Sequence, residues 1–198
     1  MIALNSNQSL TPEEYLEFEK TSELRHEYID GEIYAMSGAS NAHNLINGNL
    51  LVALCSQLRG TSCQTYINGM KVRVAGGKRF FYPDILVACS DETDNLGAYY
   101  MDQPRLIIEV LSKSTEGFDR GDKFKFYRSI SSLQDYILVS SLQYSVDHFR
   151  RGDNGLWVLQ SHQDLEAKLN LKSLGIEISV ADIYNSIEFE KEEISDSE

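Results

Sequence analysis

The sequence predicts an α+β fold in which a mixed β-sheet is covered by helices, with a helix and a β-hairpin at its N-terminal end. The order of elements is the first observation: a helical segment, a hairpin and a second helix precede a series of short strands interrupted by a further helix. The second is length, because 198 residues suffice for one domain with a sizeable core. The third is composition: 42% hydrophobic and 10% aromatic residues are typical of a globular protein.

The N-terminal helix and hairpin have clear boundary signals. Thr11 is a good N-cap, Pro12 suits the first helical position and Glu14 completes a capping box, so this helix is expected to end near Lys20. Residues 26–36 alternate around Asp-Gly, which is a strong signal for a two-residue turn. The sequence therefore predicts a β-hairpin directly after the first helix.

A second, longer helix and a series of strands follow. Ser40 is expected to cap this helix, which ends near Arg59 before Gly60. The other predicted elements are strands over 66–74 and 80–88 joined by a turn at 75–78, a loop over 90–103, a strand over 105–111, a helix over 119–129, strands over 135–140, 144–150 and 156–160, and a short helix near 181–187. These elements form one predicted domain over 1–187, and the acidic residues 188–198 are expected to be a flexible tail.

The charge distribution argues against one class of nucleic-acid-binding protein. A net charge of −12 excludes generic, sequence-blind coating of DNA. Residues 71–79 nevertheless hold four bases and no acid, which permits a local basic strip facing nucleic acid. A solvated basic hairpin explains the same strip equally well.

Localisation is predicted to be cytoplasmic, without a membrane span. The longest apolar runs are only a few residues long, and the first ten residues lack the basic and apolar blocks of a signal peptide. The three cysteines, Cys55, Cys63 and Cys89, have no metal-ligand spacing and are expected to be reduced thiols. Cys55 and Cys89 are expected to lie in the core.

Two apolar strands each contain one acid, Asp84 and Glu109, and charged side chains are rarely buried unless they are paired or bind a metal. On antiparallel neighbouring strands the two side chains would lie about 5 Å apart. Such carboxylates repel each other unless a cation or proton lies between them. Mg²⁺ or Mn²⁺ suits these oxygen ligands, and the backbone carbonyl of Val110 is a further candidate ligand. The alternative is a buried acid pair neutralised by Arg73, Arg105 or Lys123.

A metal ion at this site could activate water to attack a phosphodiester. A further cation near the attacked phosphate would then stabilise charge in the transition state. Lys123 is the candidate, because its predicted helix directly follows the Glu109 strand. Arg120 and Tyr127 are three residues before and four residues after it, so the three side chains share one helix face. A structural salt bridge is the alternative role for Lys123.

Five segments in order resemble a known family. They are Glu-Tyr-Ile-Asp-Gly-Glu at 27–32, Ala-Ser-Asn-Ala-His at 39–43, Tyr-Pro-Asp-Ile at 82–85, Glu-Val-Leu-Ser-Lys-Ser-Thr at 109–115 and Asp-Arg-Gly-Asp-Lys at 119–123. Together they are similar to the Uma-two family of restriction-endonuclease-like proteins, part of the PD-(D/E)XK superfamily. The resemblance covers roughly residues 10–184, and it implies a restriction-endonuclease-like sheet core.

The resemblance also implies site residues. The superfamily places a lysine two residues after the glutamate, where this chain has Leu111, and the family implies that the lysine has moved to Lys123. Lys113 is the other candidate. Glu32 matches an acid that the family keeps near the site, although a surface acid on the hairpin is an equal alternative. His43 is expected to touch the same cleft or to serve only in hydrogen bonding.

These residues predict a Mg²⁺- or Mn²⁺-dependent endonuclease that hydrolyses DNA. Asp84 and Glu109 would bind the cation with the Val110 carbonyl, Lys123 would stabilise the transition state and Glu32 would assist. DNA is the expected partner, and a homodimer is expected because nucleases that cut both strands often act in pairs. The alternative is an inactive nuclease-fold protein that binds DNA or a protein partner, which Leu111 and the acidic net charge favour.

Overall fold

Two six-stranded sheets, each with parallel and antiparallel neighbours, carry the fold. This computed structural model describes residues 9–89 and 97–189 in full and the backbone of residues 2–3. The helices are α1 (Pro12–Thr21), α2 (Asn41–Leu58), α3 (Glu116–Phe118), α4 (Phe124–Tyr127) and α5 (Val180–Ile183). The strands are β1 (Ile2–Ala3), β2 (His26–Ile29), β3 (Glu32–Ala35), β4 (Cys63–Ile67), β5 (Lys71–Val74), β6 (Arg79–Phe81), β7 (Ile85–Cys89), β8 (Tyr100–Met101), β9 (Leu106–Leu111), β10 (Asp135–Ser140), β11 (Val146–Arg151), β12 (Trp157–His162), β13 (Lys168–Leu171) and β14 (Ile176–Ser179).

The predicted α+β class with a mixed sheet is confirmed. The structure has two six-stranded mixed sheets, however, where the sequence predicts one. The first sheet has the strand order β1-β3-β2-β6-β5-β8, and the second has the order β12-β11-β10-β9-β7-β4. Strands β9 and β10 are parallel, whereas β7 and β9 are antiparallel. Strands β13 and β14 form a separate hairpin.

The chain passes from the first sheet to the second between β6 and β7. The strand predicted over 80–88 is therefore two strands, separated by Tyr82, Pro83 and Asp84. Pro83 supplies no N–H and cannot continue a sheet ladder, which accounts for the break. The strand predicted over 66–74 is also two strands, β4 and β5, and the break begins at Asn68. The backbone N–H of Asn68 donates to the Asp84 carbonyl at 3.0 Å. The two crossings thus meet at Asp84.

The predicted helix and hairpin at the N-terminal end are confirmed. The Thr11 side chain accepts from the Glu14 N–H, and the Glu14 carboxylate accepts from the Thr11 N–H, which is the predicted capping box. In the hairpin turn, Asp30 has φ 49° and Gly31 has φ 105°, the positive values that a tight turn of this kind requires. The buried ring of Tyr15 stacks on Tyr28 at 4.9 Å and holds α1 against the hairpin.

Helix α2 covers one face of the second sheet. Ser40 caps it by accepting from the His43 N–H at 3.2 Å, as predicted. Its buried face packs on alternate residues of β7 and β9 that point to the same side, and these contacts are made by Ile46, Leu50, Leu54, Leu58, Ile85, Val87, Ile108 and Val110. The opposite face of β9 carries Ile107, Glu109 and Leu111, because successive side chains alternate along a strand. Glu109 therefore points toward a second apolar cluster, which includes Phe81, Phe124 and Tyr127.

The helix predicted over 119–129 begins earlier and ends earlier than expected. Helical backbone runs from α3 through a π-helical segment, Asp119–Lys123, into α4. A π-helical segment inserts a residue into the turn, and it is frequent at functional sites.

The hairpin β13–β14 was not predicted from the sequence, yet it buries Leu169, Leu171 and Ile178 against the core. The last predicted helix, near 181–187, is shortened to α5.

The expectation of three reduced thiols is wrong, as is the core position of Cys55, whereas Cys89 does pack against the core. Cys63 and Cys89 face each other across β4 and β7, with Cα atoms 3.9 Å apart, and form a disulfide. The strand register brings them together although they are 26 residues apart in sequence. Cys55 is exposed on α2 rather than buried in the core.

Two predicted segments fall partly outside the described residues. They are the loop at 90–103, of which 90–96 lie outside, and the acidic tail at 188–198, of which 190–198 lie outside. Within the part of the chain that the structure describes, no helix is long and apolar enough to cross a membrane.

Candidate active site

Acidic side chains from both sheets meet where the chain crosses from β6 to β7. The register of β7 and β9 pairs Ile85 with Ile108, so Asp84 and Glu109 are the next opposed positions. Strand β2 lies beside β6 in the first sheet and brings Glu27 to the same place. The Tyr82 N–H donates to Glu27 Oε1 at 3.2 Å, which ties the crossing segment to that carboxylate.

Two N–H groups and the His43 ring contact the Asp84 carboxylate. Asp84 Oδ2 accepts from the Val110 N–H at 2.7 Å. Asp84 Oδ1 lies 3.3 Å from His43 Nε2 and accepts from Asn47 Nδ2 at 3.2 Å. The side chains of Asp84 and His43 are 16% and 13% exposed, so this side of the cluster faces solvent more than the rest.

Lys123 lies among three carboxylates. Its Nζ is 2.9 Å from Glu109 Oε1, 3.0 Å from Glu27 Oε1 and 3.4 Å from Asp119 Oδ1. The Lys123 side chain is only 6% exposed. The Tyr127 hydroxyl also donates to Glu109 Oε1, at 3.1 Å. The cluster therefore joins both sheets and the helical segment that follows β9.

Burial and mutual contact shift the pKa values of this cluster. Burial raises the pKa of Glu109 well above its usual value, against the opposing influence of Lys123. Burial disfavours the Lys123 ammonium, but the carboxylates of Glu109 and Glu27 outweigh it and hold the pKa of Lys123 well above its usual value. Burial likewise lowers the pKa of His43, and contact with Asp84 more than compensates, so the pKa of His43 is raised. The site thus retains the positively charged Lys123 beside its acids.

The structure brings most of the sequence-predicted residues together. Asp84, Glu109, Val110, Lys123 and His43 are all in this cluster. Val110 contacts Asp84 through its N–H, and its carbonyl remains a separate candidate ligand.

Glu32 has no contact with the cluster in the part of the chain that the structure describes, and its assisting role stays a prediction. It pairs with Ile29 at the turn end of the hairpin, is exposed, and accepts a hydrogen bond from the Tyr34 hydroxyl. The acid that the hairpin contributes is Glu27, because only that position borders the crossing into β7.

The cationic partners considered for the acid pair are engaged elsewhere, apart from Lys123. Arg73 forms a bidentate pair with Asp102, and Arg105 donates to the Ser173 carbonyl. Arg120 pairs with Glu116 and Asp147 instead of sharing the Lys123 cluster.

The basic strip at 71–79 is not an open cationic surface. Lys71 is buried and donates to the Tyr82 hydroxyl at 3.1 Å, and Arg79 pairs with Asp30. With Arg73 also paired, only Lys78 of the four bases is exposed without a contact to an acid among the described residues.

Sequence reasoning missed three residues of the site. Glu27 and Asp119 contact Lys123, and Asn47 contacts Asp84. Asp119 is four residues before Lys123, and Asn47 is four residues after His43, so helical spacing was an available signal for both. Glu27 gave a weaker signal, because the hairpin contains several acids and only the pairing of β2 with β6 distinguishes them.

The residues fit a divalent cation of the Mg²⁺ type. Asp84 and Glu109 supply carboxylate oxygens, and Glu109 Oε2 has no protein partner among the described residues. Asn47 Oδ1, next to Asp84, is buried without a hydrogen-bond donor. Within the described ranges, no group of three His, Cys, Asp or Glu side chains is arranged to hold a metal. The space between Glu27, Glu109 and Asp119 is taken by the Lys123 ammonium. Mg²⁺ is often held by one or two carboxylates and keeps several waters, so the Asp84–Glu109 pair is the candidate set of ligands.

The chain is similar to proteins with a nuclease description. The family model Uma2, described as "Putative restriction endonuclease", matches residues 12–181. The uncharacterized protein slr1290 of Synechocystis sp. (strain ATCC 27184 / PCC 6803 / Kazusa) is 38% identical over 91% of this chain and 94% of its own length. The uncharacterized protein sll1609 of the same strain is 33% identical over 89% of this chain and 100% of its own length.

A solved structure supports the fold. The crystal structure described as a putative nuclease belonging to DUF820, from Anabaena variabilis ATCC 29413, superposes with a TM-score of 0.73. It covers 88% of this chain and 97% of the other chain at 17% sequence identity, so the likeness concerns the fold. With a family model that spans both β7 and the Lys123 helix, and with two relatives above 30% identity, the chain belongs to the Uma2 family.

Proposed function

We propose that this protein is a Mg²⁺- or Mn²⁺-dependent endonuclease that hydrolyses phosphodiester bonds in DNA. The observation that supports it most is the opposition of Asp84 and Glu109 on β7 and β9, with Lys123 Nζ 2.9 Å from Glu109 Oε1. Carboxylates that can hold a divalent cation and a cationic group beside them suit metal-dependent hydrolysis of a phosphodiester. The family description supports the same class of activity.

The proposed reaction is hydrolysis by one water molecule. The water oxygen forms a bond to phosphorus, and the bond between phosphorus and the leaving sugar oxygen breaks. The water loses a proton and the leaving oxygen gains one, so the products are a phosphate monoester and a free hydroxyl. A bound divalent cation lowers the pKa of water and polarises the phosphate.

The residues of this chain divide the remaining work. Asp84 and Glu109 would hold the cation together with the Val110 carbonyl, and the Val110 N–H keeps Asp84 oriented toward β9. Lys123 stays protonated because Glu109 and Glu27 raise its pKa, and it supplies positive charge to the phosphate as the transition state develops. Glu27, in β2, and Asp119, in the π-helical segment, hold the Lys123 ammonium in position.

The test is cleavage of supercoiled, linear and single-stranded DNA by the purified protein, with Mg²⁺ or Mn²⁺ and after chelation. Parent protein should cut, and chelation or Asp84→Ala should abolish cutting. Asp102→Asn is the matched control, because Asp102 is a surface acid paired with Arg73 and has no contact with the cluster among the described residues. Equal cleavage by Asp84→Ala and the control, or none by the parent, would reject the proposal.

A second candidate is a nuclease-fold protein that binds DNA or a protein partner without cutting. It is favoured by Leu111, which is 2% exposed in the apolar core where the superfamily has its lysine, and by the engagement of Lys123 in three ion pairs. Calorimetry separates the candidates. Retained DNA binding with no Mn²⁺ binding at millimolar metal supports this alternative, whereas Mn²⁺ binding that depends on Asp84 supports the nuclease.

A further inference from the structure

The Asn47 side chain lies between two residues of the candidate site. It is 2% exposed, and it follows His43 by one turn of α2, on the same face. Its Nδ2 is 3.2 Å from Asp84 Oδ1 and 3.2 Å from His43 Nδ1. One amide nitrogen thus contacts both the carboxylate and the imidazole.

The chemistry of these groups determines where the protons are. A carboxylate accepts hydrogen bonds only, so the NH₂ group of Asn47 must face Asp84. The second proton of that NH₂ group points to His43 Nδ1, which must then be an acceptor. In a neutral imidazole the other nitrogen carries the proton, so the proton is on His43 Nε2, which lies 3.3 Å from Asp84 Oδ1. Asn47 therefore places two N–H groups near one carboxylate oxygen.

The other end of the Asn47 amide makes no structural link to the described residues. Asn47 Oδ1 is buried and has no hydrogen-bond donor in the part of the chain that the structure describes. A buried amide that ties a helix to its neighbours normally satisfies its oxygen as well. Asn49, on the same helix, makes the structural contacts: its Nδ2 donates to the Ile183 carbonyl at 3.0 Å and to the Asn185 carbonyl at 2.9 Å.

We propose that Asn47 is a positioning residue: its amide fixes the Nε2–H tautomer of His43, and the two groups together hold Asp84 in one orientation for cation binding. The last part rests on the proposed function, in which Asp84 is a metal ligand. The first part concerns the metal-free protein and stands on the contacts of Asn47, His43 and Asp84 alone.

The test combines nitrogen NMR of the His43 ring, at a pH where the ring is neutral, with calorimetric titration of Mn²⁺. The parent should show a protonated Nε2 and an unprotonated Nδ1. Asn47→Ala should give a mixture of tautomers and a Mn²⁺ affinity about 10- to 100-fold lower, the usual effect of losing a partner of a metal ligand. Asn49→Ala is the control: it should lower the melting temperature and leave the tautomer and the Mn²⁺ affinity unchanged.

A second variant keeps the proposal testable if Asn47→Ala does not fold. Asn47→Asp has nearly the same shape but accepts at both oxygens, so it should move a proton onto His43 Nδ1. The proposal is overturned by a parent with the Nδ1–H tautomer, or by a His43 ring that neither variant changes. A parent that binds no Mn²⁺ but has the expected tautomer counts against the proposed function and leaves the assignment of the tautomer to Asn47 standing.

Discussion

Lys123 Nζ lies 2.9 Å from Glu109 Oε1, and both side chains are almost completely buried. Glu109 is in the middle of β9, whereas Lys123 ends a π-helical segment after that strand. This pair joins the centre of the second sheet to the helical segment that covers it. In the proposed nuclease, Lys123 would take the role of the lysine that the superfamily has at the position of Leu111.

Removal of the Lys123 ammonium should destabilise the metal-free protein. Lys123→Met leaves Glu27, Glu109 and Asp119 without their shared cation in a buried site, and breaking such a pair typically costs about 3–5 kcal/mol. The free energy of unfolding from urea titration measures the loss. Lys168→Met is the control, because Lys168 makes a surface pair with Glu177 and should have little effect. Similar losses in the two variants would show that the cluster does not depend on its lysine.

Glu27, not Glu32, should matter for DNA cleavage. Glu27→Gln removes a charge that orients Lys123, and losing one electrostatic contribution of this kind typically lowers activity about 10²- to 10³-fold. Glu32→Gln, on the exposed turn end of the same hairpin, should cut like the parent. The measurement is the initial rate at which the parent and each variant cleave one DNA substrate at saturating Mg²⁺. A larger loss in Glu32→Gln than in Glu27→Gln would contradict the geometry.

The protein should lose stability sharply at alkaline pH. Burial raises the pKa values of Tyr127 and Tyr136 well above normal, and Lys123 also has a raised pKa because of Glu109 and Glu27. The folded state therefore keeps protons that the unfolded chain loses above about pH 10, so their stabilisation is complete below that pH and declines as pH rises.

Phenolate absorbance and circular dichroism, followed together during an alkaline titration, test this expectation. The absorbance of the buried tyrosines should appear only as the folded signal disappears. Exposed tyrosines such as Tyr99, which is 63% exposed, should ionise earlier and provide the internal control. Ionisation of all tyrosines while the protein remains folded would contradict the prediction.

The Cys63–Cys89 disulfide should stabilise the fold. It closes a loop with a sequence separation of 26, for which chain entropy gives about 3.5 kcal/mol. Reduction, or the double variant Cys63→Ser and Cys89→Ser, should lower the free energy of unfolding by about that amount. Cys55→Ser should have no comparable effect, because Cys55 is exposed and unpaired in the described structure. A double variant as stable as the parent would show that the disulfide contributes nothing.

Local signals in the sequence predicted much of the fold. The capping box at Thr11 and Glu14, the turn at Asp30 and Gly31 and the Ser40 cap depend on residues close together in the chain, so their chemistry is legible without a structure. Pro83 is a local signal for a break in a strand, but it does not indicate that the chain changes sheets there. The hairpin β13–β14 was missed because it is stabilised mainly by distant core contacts.

By itself, the sequence determined the α+β class, the N-terminal elements and Asp84 and Glu109 as acids in two apolar segments, whereas the structure decided that β7 and β9 are antiparallel neighbours. Alternation along strands and helical spacing are properties of short segments, which explains this success. Only the tertiary structure decided which hairpin acid approaches Lys123, that Cys63 and Cys89 pair, and that Asn47 contacts Asp84. These contacts depend on sheet order and register, which fix the distances between residues far apart in the chain.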